Sequence, residues 1–178
     1  KAYLTPDATA DFSKVTFRQI GENQVRAEHA TTHGRPETLK VSVGYKDCFI
    51  GEGEISYGGS NCMARAELAA EILEKRIELT GIELEEYRTD FIGCNSLYRD
   101  AISKEIGSGT PCEVRLHAAG RTKDRKNAVL LANEVEALYT NGPAGGGGAV
   151  KRVSEIVSVC SIFVPRDAVE AKVTFREV

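Results

Sequence analysis

Leu39, Val41, Val43 and Tyr45 alternate with polar neighbours in the longest clean period-two run of the chain. Period two places every second side chain on one face of a strand. Shorter runs of the same kind precede it: Val15 and Phe17, then Val25, Ala27 and His29 after the turn "GEN". Residues 1–14 carry no clear period, and Pro6-Asp7 reads as a turn. "THGRPE" reads as a loop. Lys46-Asp47 reads as a turn into a further strand, "CFIGEGEIS". Four strands joined by short links predict an antiparallel meander over residues 1–59. At Ser60 the period changes. Ala66, Ala69, Ala70, Leu73 and Ile77 form one helical stripe, and Gly81 suits its C-terminal cap. "YRTDFIG" is a strand, Ser96 opens a short helix over Leu97–Glu105, "GSGTP" ends it, and "EVRLHAA" is the next strand. Thr122 is the expected cap of a second long helix, with Ala128, Leu131, Ala132, Val135 and Leu138 as its stripe. Asn141-Gly142-Pro143 stops that helix. "EIVSVCSIFVP" and "AKVTFREV" read as two more strands.

The order from residue 60 onward is that of a ferredoxin-like split βαβ unit with one extra short helix. The expected fold is therefore α+β: a mixed, largely antiparallel sheet with two long helices on one face, a ferredoxin-like split βαβ element and an N-terminal β-meander. Residues 1–178 read as a single domain, 1–59 its meander part and 60–178 its βαβ-type part. A chain of this length buries a sizeable core, roughly 70% of its unfolded surface.

Charge narrows the classes of function. The chain has 23 basic and 26 acidic residues, well mixed, for a formal net charge of −3. Nucleic-acid binding needs a basic face, and none is written here. No apolar run approaches the ~20 residues of a membrane helix. The opening "KAYLTPDATADF" has no signal-peptide pattern. The one methionine is Met63, so the expectation is a part of a longer gene product. Five cysteines stand at wide spacings without a C-x-x-C pair. That is neither a disulfide framework nor a zinc knuckle, and it fits a reducing cytoplasm.

Two stretches offer chemistry. In "GEGEISYGGSN", Gly58, Gly59 and Ser60 lie between a strand and a helix, where backbone N–H groups are able to meet an anion. The spacing is neither G-x-G-x-x-G nor a phosphate loop with its lysine, so a tight strand-to-helix turn is the competing reading. In "YTNGPAGGGGAVKR", Asn141 is followed by five glycines within seven positions, ending in Gly145, Gly146, Gly147 and Gly148, and then by Lys151 and Arg152. Successive glycine amides can curl into an anion-binding nest, with the two cations adding charge. The competing reading is a mobile linker of about ten residues. Cys62 and Cys94 fall at helix starts, where a thiol pKa drops; a small buried residue is the alternative. His29 and His33 match no zinc spacing. His117 reads as a packed strand residue. No metal and no cofactor are expected.

Four segments together carry a resemblance: "YLTPDATADF", "LKVSVGYKDCFIGEGEISYGG", "FIGCNSLY" and "LANEVEALYTNGPAGGGG". They resemble the later part of the acyclic terpene utilisation (AtuA-type) proteins, from Tyr3 to about Pro165. Members of that family are longer; their glycine-rich N-terminal part and "ARSGDKG"-type stretch are missing here. Many have a ferredoxin-like companion, fused or as a separate subunit. The resemblance implies a cytoplasmic setting among steps that degrade branched terpenoids and related acids as acyl-CoA thioesters. It also implies as partners an anionic or acyl-CoA-type ligand, other copies of the chain, the companion domain and the missing part. The expected function is ligand binding at the glycine run, with the reaction unassigned. The alternative is a non-catalytic assembly domain whose glycine run packs against a partner.

Overall fold

The computed structural model describes residues 2–106, 109 and 111–177. It is a mixed α+β protein with two compact units, one formed by Lys1–Tyr45 with Val159–Val178 and the other by Lys46–Ser158.

The first unit holds five short strands: β1 (Ala2–Leu4), β2 (Thr9–Asp11), β3 (Thr16–Gly21), β4 (Gln24–Glu28) and β5 (Thr31–His33). They do not form one meander. β1, β2 and β5 make a three-stranded sheet, and among the described residues β3 and β4 make a separate two-stranded one. Thr32 and His33, expected in a loop, belong to the strand β5 because it pairs antiparallel with β2, His33 opposite Thr9. Arg166 staples this unit: its N–H groups donate to the carbonyls of Glu37 (3.2 Å), Pro36 (3.1 Å) and Pro6. "AKVTFREV" does not form the final strand. Its described residues have no regular secondary structure, and Phe175 is 95% exposed. Alternation alone makes no strand without a neighbour to pair with.

The second unit is built on β6 (Thr38–Gly58), α1 (Cys62–Thr80), β7 (Glu86–Ile92), α2 (Arg99–Ile106), β8 (Glu113–Thr122), α3 (Arg125–Asn141) and β9 (Gly146–Pro165), the long strands β6 and β9 also contributing residues to the first unit. The sheet order is β7-β8-β6-β9, the order of a ferredoxin-like fold. β8 pairs antiparallel with both β6 and β7. Both long helices pack on the face that carries Ile55, Tyr57, Val114, Leu116 and Ala118.

The stripes are as expected. Ala66, Ala69, Ala70 and Leu73 are buried in α1, and all five stripe residues of α3 are buried. Gly81 caps α1 at φ 66° and donates to Glu78. Three expectations fail at element ends. Lys46-Asp47 is not a turn. Asp47 stays extended because Ser158, Arg121 and Lys123 bond its side chain at 2.6, 2.8 and 3.2 Å, while Lys46 pairs with Glu155. α3 is capped by Asp124, whose carboxylate accepts from the N–H of Lys126 at 2.8 Å; Thr122 ends β8. The short helix begins at Arg99, two residues late, and most of its "GSGTP" terminator lies outside the described residues.

Gly51 and Gly53 have a packing role. A Cβ on Gly51 would stand 2.2 Å from the carbonyl oxygen of Ala128, and one on Gly53 2.4 Å from Cβ of Val135. The missing side chains let α3 lie directly on β6.

Candidate functional site

The two glycine segments meet at one end of the second unit, and a side chain the sequence reading overlooked joins them. Arg65, in the first turn of α1, sits half-buried and donates to backbone carbonyls of both segments. The partners are Ala144 at 2.8 Å, Ser60 at 3.1 Å and Gly58. Its guanidinium also lies 6.0 Å from the centre of the Tyr57 ring, within cation–π range. No ion pair among the described residues involves Arg65. The start of α1 is equally unneutralised: Asn61 makes no side-chain cap, and no acidic residue stands in the first turn. The helix dipole therefore adds positive potential beside the guanidinium.

The glycine run is largely strand rather than a linker of ten residues. Only Gly142–Gly145 connect α3 to β9. The run has different reasons for glycine at different positions. Gly145 and Gly148 have φ of 78° and 62°, which β-carbons disfavour. A Cβ on Gly146 would stand 2.9 Å from Cδ1 of Ile55 and 3.1 Å from the Tyr57 ring. Gly147 has open space beside it. Beside the run lies an open depression of about 580 Å³, lined by Asn133, Glu136, Tyr139, Thr140 and Gly148.

The other expected site residues do not all converge. Gly58, Gly59 and Ser60 form the turn into α1, with Gly59 at φ 79°. Ser60 contributes its carbonyl. Asn141 ends α3 and lines a separate depression of about 220 Å³ with Arg76 and Glu134. Lys151 is engaged by Asn133 at 3.0 Å and by Glu136, both on α3. Arg152 turns to the other face of the sheet, towards Ser154 and Glu52. These two cations thus diverge.

The thiols have ordinary surroundings. Cys62 is buried and donates to the carbonyl of Pro111 at 3.0 Å. Burial first, and then the neighbouring Cys62, push the Cys94 thiol up. The raised Cys94 thiol lacks the thiolate-favouring setting of a nucleophile, and Cys62 is closed off from solvent. No cluster of three metal-ligating side chains occurs among the described residues.

His117 is not packed in the core. Because Leu116 and Ala118 face the helices, His117 faces the opposite side, between Glu52 (3.5 Å) and Asp90 (3.9 Å). Arg115 bonds Glu54 and Ser56 on the same face, and Arg88 pairs with Asp90 at 2.6 Å. These charges neutralise one another. The signal was present: Glu52, Glu54 and Ser56 alternate with Gly51, Gly53, Ile55 and Tyr57. For Arg65 the only local hint was its place just after "YGGSN".

Fold and site together define a ferredoxin-like α+β unit with a cationic junction of two glycine segments at one end of its sheet. The model of the acyclic terpene utilisation family protein AtuA matches residues 1–175, and the chain belongs to that family. No curated protein and no solved structure matches it. No helix among the described residues is long and apolar enough to cross a membrane.

Proposed function

We propose that this chain serves the catabolism of acyclic terpenoids and related branched acids, handled as acyl-CoA thioesters in the cytoplasm, by binding an anionic ligand at the glycine run. The reaction itself is unassigned. The observation that carries the reading is Arg65. It is a guanidinium with no carboxylate partner among the described residues, held by the carbonyls of both glycine segments at the start of α1. A charge left without a counter-ion in a partly buried place is suited to a ligand that supplies one. The depression of about 580 Å³ beside Gly148 offers room for the rest of such a molecule. Hydrogen exchange at Gly145–Gly148 tests this. Isovaleryl-CoA added to the chain alone should slow it; unchanged exchange at saturating ligand would remove the glycine run from the site.

A second reading has its own observation. The unit of Lys1–Tyr45 and Val159–Val178 has no buried residue among those described, yet exposes Tyr3, Phe12, Phe17, Val25 and Phe163. That pattern favours assembly with further protein, either other copies or an N-terminal part and ferredoxin-like companion of the kind the family carries. Under it, the glycine run gains protection only when the partner is added.

A further inference from the structure

Tyr57 is completely buried at the glycine junction, and its hydroxyl has no hydrogen-bond partner among the protein groups. A buried polar group is normally paired, and an orphan calls for a reason. The ring lies under the Arg65 guanidinium. Its phenol end lies against Gly146, where an added Cβ would stand 3.4 Å from Cζ. Burial pushes the phenol pKa up, against the opposing pull of Arg65, so the group keeps its proton at neutral pH. It is therefore a donor. Arg65 also has capacity left. A guanidinium has five N–H groups; three are engaged by the carbonyls of Ala144, Gly58 and Ser60. The remaining two belong to a guanidinium centred 6.0 Å from the ring that carries the unengaged phenol, in the first turn of a 19-residue helix.

We infer that Tyr57 and Arg65 together form an oxyanion seat, in which a ligand carboxylate or phosphate oxygen accepts from the Tyr57 hydroxyl and the free Arg65 N–H groups. This rests on the anion-binding reading above and specifies which groups do the binding. Solvent does not reach the hydroxyl, so a ligand meets it only when the packing around it opens. Gly145 and Gly148, both at positive φ, bracket the piece that moves. Gly146 lies on the edge of the phenol ring, where an added Cβ would stand 3.1 Å from Cε1.

The test is calorimetric titration of the full chain with isovalerate and, separately, inorganic phosphate, for the parent protein, Tyr57→Phe and Arg65→Gln. The probe that binds identifies the anion. Tyr57→Phe removes one oxygen and leaves the packing. It should weaken that probe about tenfold, the effect of one hydrogen bond to an anion, while the melting temperature holds or rises because an orphaned hydroxyl is gone. Arg65→Gln should abolish binding. Should Arg65→Gln fail to fold, Tyr57→Phe decides alone. Equal affinity in Tyr57→Phe overturns the seat, as does the absence of binding by both probes. Isovaleryl-CoA protection of the glycine run that survives Tyr57→Phe would sink the seat and leave the broader anion reading standing. Loss of that protection in the parent protein would remove both.

Discussion

All the buried apolar side chains among the described residues belong to Lys46–Ser158, and none belongs to the unit of Lys1–Tyr45 with Val159–Val178. Both units make backbone bonds in paired antiparallel strands, with a register shift in the β3–β4 pair between Gln19 and Gly21. Both also use an arginine to clasp carbonyls of distant segments, Arg166 in one and Arg65 in the other. They differ in what lies beneath the bonds. In the second unit Leu116, Leu73 and Val135 fill the space between sheet and helices. In the first, the β3–β4 pair turns Phe17 and Val25 to solvent at 74% and 63% exposure. A two-stranded ribbon is marginal by itself in water. Hydrogen bonds thus set the shape of both units, and burial supplies the stability of one. The difference is one of burial: one unit carries the buried core found among the described residues, and the other leaves its large apolar side chains in solvent.

Changes under the helices should have the largest effect. Leu116→Ala should cost about 2–5 kcal/mol, as a cavity at a fully buried site does, and Gly53→Val should do at least as much by driving a side chain into Val135. Denaturant melts read both. A loss under 1 kcal/mol for either would mean that the second unit does not hold the chain's stability.

Next comes the glycine run. Gly146→Ala should cost about 1–3 kcal/mol by overpacking against Ile55 and Tyr57. Gly147→Ala, which meets open space, should stay within about 0.5 kcal/mol. A thermal melt of the pair separates a packed strand from a loose linker: equal tolerance would restore the linker.

That pair also shows how far the sequence was legible. The helix stripes of α1 and α3 could be read because 3.6-residue periodicity is a local property, and burial followed it nearly residue for residue. The strand order followed from element order. What failed depended on distant partners. Lys46-Asp47 looks like a turn until Ser158 and Arg121 are placed beside it. Four glycines look like slack until Gly146 is seen lying on Ile55 and Tyr57. Arg65 is one charged residue on an exposed-looking helix turn, and only the closing of two remote segments around it makes it a centre.

In the first unit, Phe17→Ser should change the stability of the chain alone by no more than about 0.5 kcal/mol, since the side chain covers nothing there. It should however weaken self-association, read by sedimentation over a range of concentrations. A cost above 1 kcal/mol that disappears on dilution would show that the unit acquires its core from a second copy.

The smallest effect is one of pH, and it distinguishes the units by their own carboxylates. The Ser158 hydroxyl above all, and then Lys123 and Arg121, hold Asp47 below its ordinary value of 3.8. In the first unit the Ser13 backbone N–H, first among its causes, lowers Asp11 in the same way. A group whose folded pKa is depressed adds stability that is fully present above its unfolded value and is lost as pH falls through the folded one. Both contributions should therefore be intact above about pH 5 and fade below 3.8. Both shifts are modest, and the more exposed Asp11 is the more strongly screened of the two. Asp47→Asn should flatten the acid limb for amides of the second unit, followed by hydrogen exchange from pH 5 downward, and leave that of the first unchanged. A flattening of both together would show that the two units open as one, and the contrast between a cored unit and an uncored one would then have no consequence for how the chain unfolds.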